Sequence, residues 1–338
     1  MKIKTNIMKS RWIIILAAAV ALSPSCKKGS KGERSLLPNV TGSANELVVI
    51  LPKALHSDSL GKLYSDILTE DVPFLPQSEP RFDMVMIPPD AFTDIFKPHR
   101  NIIFNDIVKG AKEAKMSLKR DVWAAPQTIL YISGPSYKSI YDLLLKERDK
   151  VVSIFEQAER DRVIQNAITY EEKPIREALE KKYGVSMYFP KGYRLNFDHD
   201  TIAWVSYETP LTSQGIILYT FPYTAKNTFT VDYLLAKRNE FVKTISGPTQ
   251  GSYMTTSSVI VPQLTDMMFK NRYYGVMRGL WDVYKHPMGG PFISHITVDE
   301  ERQRVIVAEA YVYAPSKEKR NYLRQVEALL YTMEIIKK

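Results

Sequence analysis

From residue 47 to residue 132, apolar positions fall in short blocks divided by polar or proline-rich stretches. Segments 47–51, 82–87, 101–107 and 127–132 read as strands. Segment 57–68 carries Leu60, Leu63, Tyr64, Ile67 and Leu68 at helical spacing. The run 72–80 is punctuated by Pro73, Pro76 and Pro80 and reads as a loop. Ser136 suits an N-cap, and Ile140, Leu144, Val151, Phe155 and Ala158 place one long amphipathic helix behind it. A second helical stretch covers 174–182. After Gly184 the period changes to two. Segments 185–189, 193–197, 202–208 and 216–221 read as strands, 231–245 as an amphipathic helix, and 257–261, 273–284, 292–298 and 304–313 as further strands. Segment 316–333 closes the chain as a helix with Leu323, Val326, Leu330 and Met333 on one face.

Consecutive strands with few helices between them predict an α+β class, mostly antiparallel sheets with packed helices. Sixteen of the 20 tyrosines lie at or after Tyr170. Tyrosine suits half-buried strands, so the asymmetry divides the body into an N-terminal α+β part, 45–168, and a C-terminal antiparallel part, 169–338. A relation between the two parts is one reading, against chance matches: Asp121-Val122-Trp123 with Pro126 parallels Asp282-Val283-Tyr284 with Pro287, and each part closes on a Pro-Ser pair and a helix.

The N-terminus follows another pattern. Lys9 and Arg11 precede an apolar run over 12–22, which is too short to span a bilayer and suits a signal peptide. Ser23-Pro24-Ser25 then leads into Cys26, the only cysteine in the chain. Small residues before a lone cysteine read as a lipidation site: segment 1–25 is removed, and the Cys26 sulfur carries the acyl chains. Segment 26–44 is polar and predicted to be a flexible tether, reaching roughly 20–25 Å if it behaves as a random coil. Two or more acyl chains, at roughly 0.8 kcal/mol per buried CH₂, hold such a protein on a membrane. No acidic residues directly follow Cys26. The expected location is the cell envelope, on the outer membrane and facing the periplasm.

Of the formal net charge of +9, four charges leave with the leader and three belong to the segment after Cys26, which leaves the body at +2. That is no footprint for nucleic acid.

Candidate chemistry is sparse. There is no phosphate-cradling glycine loop, no His-Glu-x-x-His and no Gly-x-Ser-x-Gly. The five histidines lack metal-ligand spacing, and no cofactor is implied. His199, between Asp198 and Asp200, reads as a turn. The most distinctive stretch is 273–292, where Arg278, Trp281, His286 and the amides of Gly289 and Gly290 form a candidate anion or sugar site, against a tight structural connection. His99 and Arg100 form a second candidate, against a solvated strand start.

The blocks Leu75-Pro76-Gln77-Ser78-Glu79-Pro80, His99-Arg100-Asn101-Ile102, Arg278-Gly279-Leu280-Trp281, Met288-Gly289-Gly290-Pro291-Phe292 and Lys319-Arg320-Asn321-Tyr322 together resemble a family of Bacteroidota lipoproteins, domain-of-unknown-function family 4837, over residues 40 to 335. The resemblance implies an envelope lipoprotein and carries over no catalytic residue. Separately, Phe189-Pro190-Lys191-Gly192-Tyr193 resembles the PsbP-like fold of non-catalytic accessory proteins.

Two functions stay open at the level of sequence. One is a non-catalytic, membrane-tethered accessory or binding protein, offering an aromatic sheet face to an envelope protein or glycan. The other is a periplasmic hydrolase with a carboxylate or histidine site near the loop from Met288 to Phe292.

Overall fold

A computed structural model describes residues 37–224 and 227–337. Segment 1–25, expected to be a signal peptide, and Cys26, the expected lipidation site, lie outside the described residues. Residues 38–41, expected in the tether, instead lie along the body: the Thr41 amide donates to the Pro98 carbonyl, and the Arg100 amide donates to the Thr41 carbonyl.

Two sheets organise the α+β body. The first contains β1 (Glu46–Ile50), β2 (Asp83–Ile87), β3 (Asn101–Ile107), β4 (Lys115–Arg120) and β5 (Thr128–Gly134), in the order β2-β1-β3-β5-β4. β1 pairs in parallel with both β2 and β3, β3 pairs in parallel with β5, and only β4 is antiparallel. α1 (Ser59–Leu68) makes the crossover from β1 to β2 that parallel pairing requires. Leu47, Val49, Ile103, Leu130 and Ile132 bury one face under α1, α2 (Tyr137–Lys146) and the first half of α3 (Arg148–Thr169). Phe92, Phe104, Trp123 and Tyr131 cover the other face.

α4 (Lys173–Tyr183) and a short β6 (Val185–Ser186) lead into the second sheet. Its strands are β7 (Arg194–Asp198), β8 (Ile202–Glu208), β9 (Ser213–Pro222), β10 (Met254–Thr256), β11 (Gln263–Phe269), β12 (Arg272–Val283), β13 (His286–Asp299) and β14 (Arg304–Tyr313). The order is β10-β12-β13-β14-β9-β8-β7, with β11 also on β12, and every pairing is antiparallel. α5 (Val231–Val242) covers one face, and α6 (Arg320–Leu330) with α4 covers the other. Double coverage explains why β9 and β14 are buried at nearly every position instead of alternating. β15 (Glu334–Ile335) pairs back onto β6. Among the described residues no helix is long and apolar enough to cross a membrane.

Several expectations are corrected. The two sheets differ in strand pairing, so the Asp-Val-aromatic repeat does not reflect two related subdomains. The helix expected behind Ser136 is two helices, because Glu147 leaves helical geometry at φ −105° and ψ 20°. Ser136 does cap the first of them, accepting from the Ser139 amide at 3.2 Å. Segment 257–261 is not a strand: Val259 and Val261 are each 80% exposed. The loop expected before Phe292 is strand, since β13 starts at His286. The aromatic sheet face is not offered outward, because Tyr219, Trp281 and Tyr311 are buried beneath α5.

The second sheet holds a buried ion pair. Arg238 on α5 and Glu309 on β14 are both 0% exposed, and Arg238 Nη2 lies 2.7 Å from Glu309 Oε1. Arg238 Nε donates to both carboxylate oxygens, Nη1 donates to Thr256 Oγ1 at 2.7 Å, and Ser294 Oγ donates to Glu309 at 2.8 Å.

Candidate anion-binding cleft

α3 belongs to both cores. Val151 and Phe155 near its start pack with the first, and Ala167 near its end packs with the second. Between those ends, one side of the helix faces α6 across a cleft of about 750 Å³. Charged residues occupy this stretch where an apolar stripe would otherwise run.

Seven arginines line the cleft. Arg160 and Arg162 come from α3, and Arg320 and Arg324 from α6. Arg278 comes from β12, and Arg81 and Arg100 stand just before β2 and β3. Lys191 adds an eighth cation, and the carboxylates on the wall are Glu156, Glu159 and Glu327. Cations therefore outnumber carboxylates by five.

Each carboxylate has its own setting. Glu159 is 8% exposed; its Oε1 accepts from Arg162 at 2.9 Å and from Asn101 Nδ2 at 2.7 Å, with Arg100 Nε 3.2 Å away. Glu327 is 13% exposed and accepts from Arg278 Nη2 at 2.7 Å. Burial would raise the Glu327 pKa, but the charges of Arg278 and His295 and the Arg278 hydrogen bond hold it below its ordinary value. Glu156 is 29% exposed, and its Oε1 stands 3.2 Å from both Arg81 Nη1 and Arg324 Nη2.

The arginines keep donors to spare. Arg81 Nε is buried without a hydrogen-bond partner. Arg160 lies 3.9 Å over the Tyr331 ring and donates to Gln157. Burial, with Arg100 and Arg120 nearby, pulls the Arg162 pKa down to about 10 although Glu159 pushes the other way, so Arg162 stays charged at neutral pH. Guanidinium groups held in fixed positions by a helix pair suit planar, bidentate recognition of carboxylate or phosphate.

The α6 wall is fixed from the first sheet. The Glu79 carboxylate accepts the amides of Lys319 and Arg320, both at 2.7 Å, and so caps the helix from 240 residues away. Arg320 is itself held by Asp83 at 2.6 Å. The blocks 75–80 and 319–322, far apart in sequence, meet here.

The structure separates the sequence candidates. Arg100 and Arg278, 178 residues apart, line the same cleft. His99 lies beneath it, buried, with Nε2 2.8 Å from Glu46 and Nδ1 3.2 Å from the Asn101 carbonyl. Trp281 is a core residue, its indole donating to the Val312 carbonyl at 3.1 Å. Gly289 and Gly290 lie in β13 opposite Asp282 and Trp281. A Cβ on Gly290 would stand 2.0 Å from the Val312 carbonyl oxygen, so close backbone packing explains this glycine. His286 opens β13, and its Nδ1 has no hydrogen-bond partner. None of these five residues, His99, Trp281, His286, Gly289 and Gly290, lines the cleft. The sequence reading missed Arg81, Arg160, Arg162, Arg320 and Arg324. The available signal was Arg320, Arg324 and Glu327 at helical spacing on α6, a charged row beside the Leu323 and Val326 stripe. Among the described residues, no three His, Cys, Asp or Glu side chains gather as a metal-holding group.

Comparison with known proteins follows the division between the sheets. Residues 172–332 match the family model described as Domain of unknown function (DUF4837). Residues 40–167 match another, Domain of unknown function (DUF8532). The matched chain consists of domains of unknown function. The likeness expected over 40 to 335 is thus shared between two models, and the first covers only the C-terminal part. No curated protein matches the chain. Among solved structures, the Saccharomyces cerevisiae Ran-binding protein Mog1p is 8% identical, covering 45% of this chain and 90% of its own, at a TM-score of 0.30. A protein from Bacteroides thetaiotaomicron is 10% identical, covering 46% of each chain, at a TM-score of 0.21. The human StarD13 lipid transfer and protein localization domain is 8% identical, covering 47% of this chain and 95% of its own, at a TM-score of 0.22. Likenesses this distant carry no argument about this protein.

Proposed function

We propose that this protein is a cell-envelope lipoprotein of the Bacteroidota, moored by acyl chains on Cys26, with a non-catalytic body that binds an anionic ligand in the cleft between α3 and α6. One observation carries the binding role: eight cations against three carboxylates around a single cavity, with buried guanidinium donors left over. Holding like charges together is unfavourable, and a bound oxyanion relieves that repulsion. The mooring rests on the signal-peptide pattern and on Cys26 as the only thiol. A periplasm-facing position on the outer membrane is part of the proposal.

Thermal unfolding of the full chain in detergent tests the binding role. At low ionic strength, where charge interactions are least screened, citrate is expected to raise the unfolding temperature in a saturable way. Glucose at equal concentration is expected to leave it unchanged, and equal shifts from both would argue against an anion site. The mooring is tested in cells fed a clickable fatty acid. Label is expected on the wild-type protein and lost in Cys26→Ala, whereas label persisting in the variant would refute attachment at that sulfur.

A further inference from the structure

Two of the three cleft carboxylates are built into the fold. Glu159 and Glu327 are nearly buried and bonded at 2.7 to 2.9 Å. Glu156 differs in exposure and in the length of its contacts. It is the most exposed of the three, and its contacts to Arg81 and Arg324 are both long at 3.2 Å, with no shorter bond beside them. Arg81 has a second carboxylate partner outside the cleft, Glu70 at 3.0 Å, and still keeps a buried Nε without a partner. Arg324 donates also to Asn45 Oδ1. Neither arginine therefore depends on Glu156 alone.

We infer that Glu156 is an internal stand-in for the ligand: its carboxylate occupies the position between Arg81 and Arg324 that a carboxylate or phosphate group of the ligand takes, and binding displaces it. The inference rests on the binding role proposed above and adds a competitor to it. The competitor keeps two arginines apart in charge while the cleft is empty and sets a threshold that only a multiply charged anion passes. A group with a single weak contact does not displace a carboxylate already seated in the same chain, because the internal group has lost less freedom on binding. Arg160, over the Tyr331 ring and without a carboxylate contact as close as those of Arg81 and Arg324, stands ready on the same helix face, one turn along from Glu156.

Glu156→Gln removes the competing charge and keeps the side chain's size. Calorimetric titration of the full chain in detergent, with citrate and separately with inorganic phosphate, is expected to show about tenfold tighter binding to this variant, the scale of one displaced ion-pair contact. Glu240→Gln makes the same change in net charge on α5, where Glu240 pairs with Lys237 away from the cleft, and is expected to alter affinity by less than about twofold, as for an exposed pair. Arg324→Gln and Arg81→Gln are each expected to weaken binding in either background, with melting curves verifying that the variants fold. A response to citrate alone assigns a carboxylate ligand, and a response to phosphate alone assigns a phosphate. If wild type binds and Glu156→Gln binds no tighter, the stand-in role is overturned while the anion site remains. Equal tightening in Glu240→Gln would also overturn it, as a general charge effect. If no variant binds either probe, the binding role itself falls.

Discussion

Replacing Arg238 by Met is expected to destabilise the protein by about 3–5 kcal/mol, the scale for breaking a buried ion pair. The cause is what the substitution leaves behind. Glu309 is 0% exposed, and without Arg238 its carboxylate keeps the Ser294 hydroxyl at 2.8 Å but no cation. The guanidinium also lies 3.9 Å over the Phe292 ring, and that contact goes with it. A typical domain has about 5–15 kcal/mol in total, so the loss would be a large share. Replacing both partners, Arg238→Met with Glu309→Leu, removes the charge along with its counter-ion and is expected to recover most of the loss. Denaturant titration of the three proteins measures it. A single variant within about 1 kcal/mol of wild type, the value of an exposed pair, would mean that water reaches the pair.

The second large effect concerns pH. His295 on β13 is 1% exposed, its Nε2 has no hydrogen-bond partner, and burial pushes its pKa down from 6.5 to about 4. Glu327 on α6 pulls the other way, while Arg278 on β12 and Arg160 on α3 add to the depression. The rings of Tyr274 and Tyr331 close the pocket at 6.0 and 4.8 Å. Between these two pKa values the unfolded chain takes a proton that the folded chain refuses. Stability is therefore complete above about pH 6.5 and falls as pH drops towards 4, by about 1.4 kcal/mol per unit and about 3 kcal/mol in all. Glu327 acts in a lower window: its depressed pKa contributes stability above its ordinary 4.5, lost as pH falls through the folded value. His295→Asn is thus expected to flatten the curve between about pH 6.5 and 5 and to leave the acid limb below about 4.5 in place. Identical curves for variant and wild type would show that folding leaves the His295 pKa at its ordinary value.

Legibility in the sequence followed the number of faces each element buries. β3, β8 and β14 have the bounds that their apolar runs predict, because each sits inside a sheet. β4 was missed: it is an edge strand whose Lys115, Lys119 and Arg120 are exposed, and charge along an edge masks the alternation while guarding against unwanted pairing. β11 was missed for a similar reason, with Met268 70% exposed. The parallel pairing of the first sheet was hidden because α1 was read as an isolated helix and not as a crossover.

The cleft was nearly invisible for a different reason. Its seven arginines are spread from position 81 to position 324, and no short window holds more than two of them. Outside residues 1–44 the chain is close to neutral, since acidic residues elsewhere balance what the fold gathers at one place. Net charge therefore excluded a broad basic face and could not reveal a local one. Arg100 and Arg278 were singled out for their neighbours in sequence, and neither His99 nor His286 proved to share the cleft with them.

The most direct measurement is side-chain NMR of the full chain carrying isotope-labelled arginine, titrated with citrate. Arginine Nε–H signals report each guanidinium separately. The Arg81, Arg160 and Arg324 signals are predicted to shift together with one saturation curve, while that of Arg238, sealed in the second core, stays fixed. Shifts confined to exposed arginines such as Arg148 and Arg194, or no saturable shift at all, would contradict an anion-binding cleft.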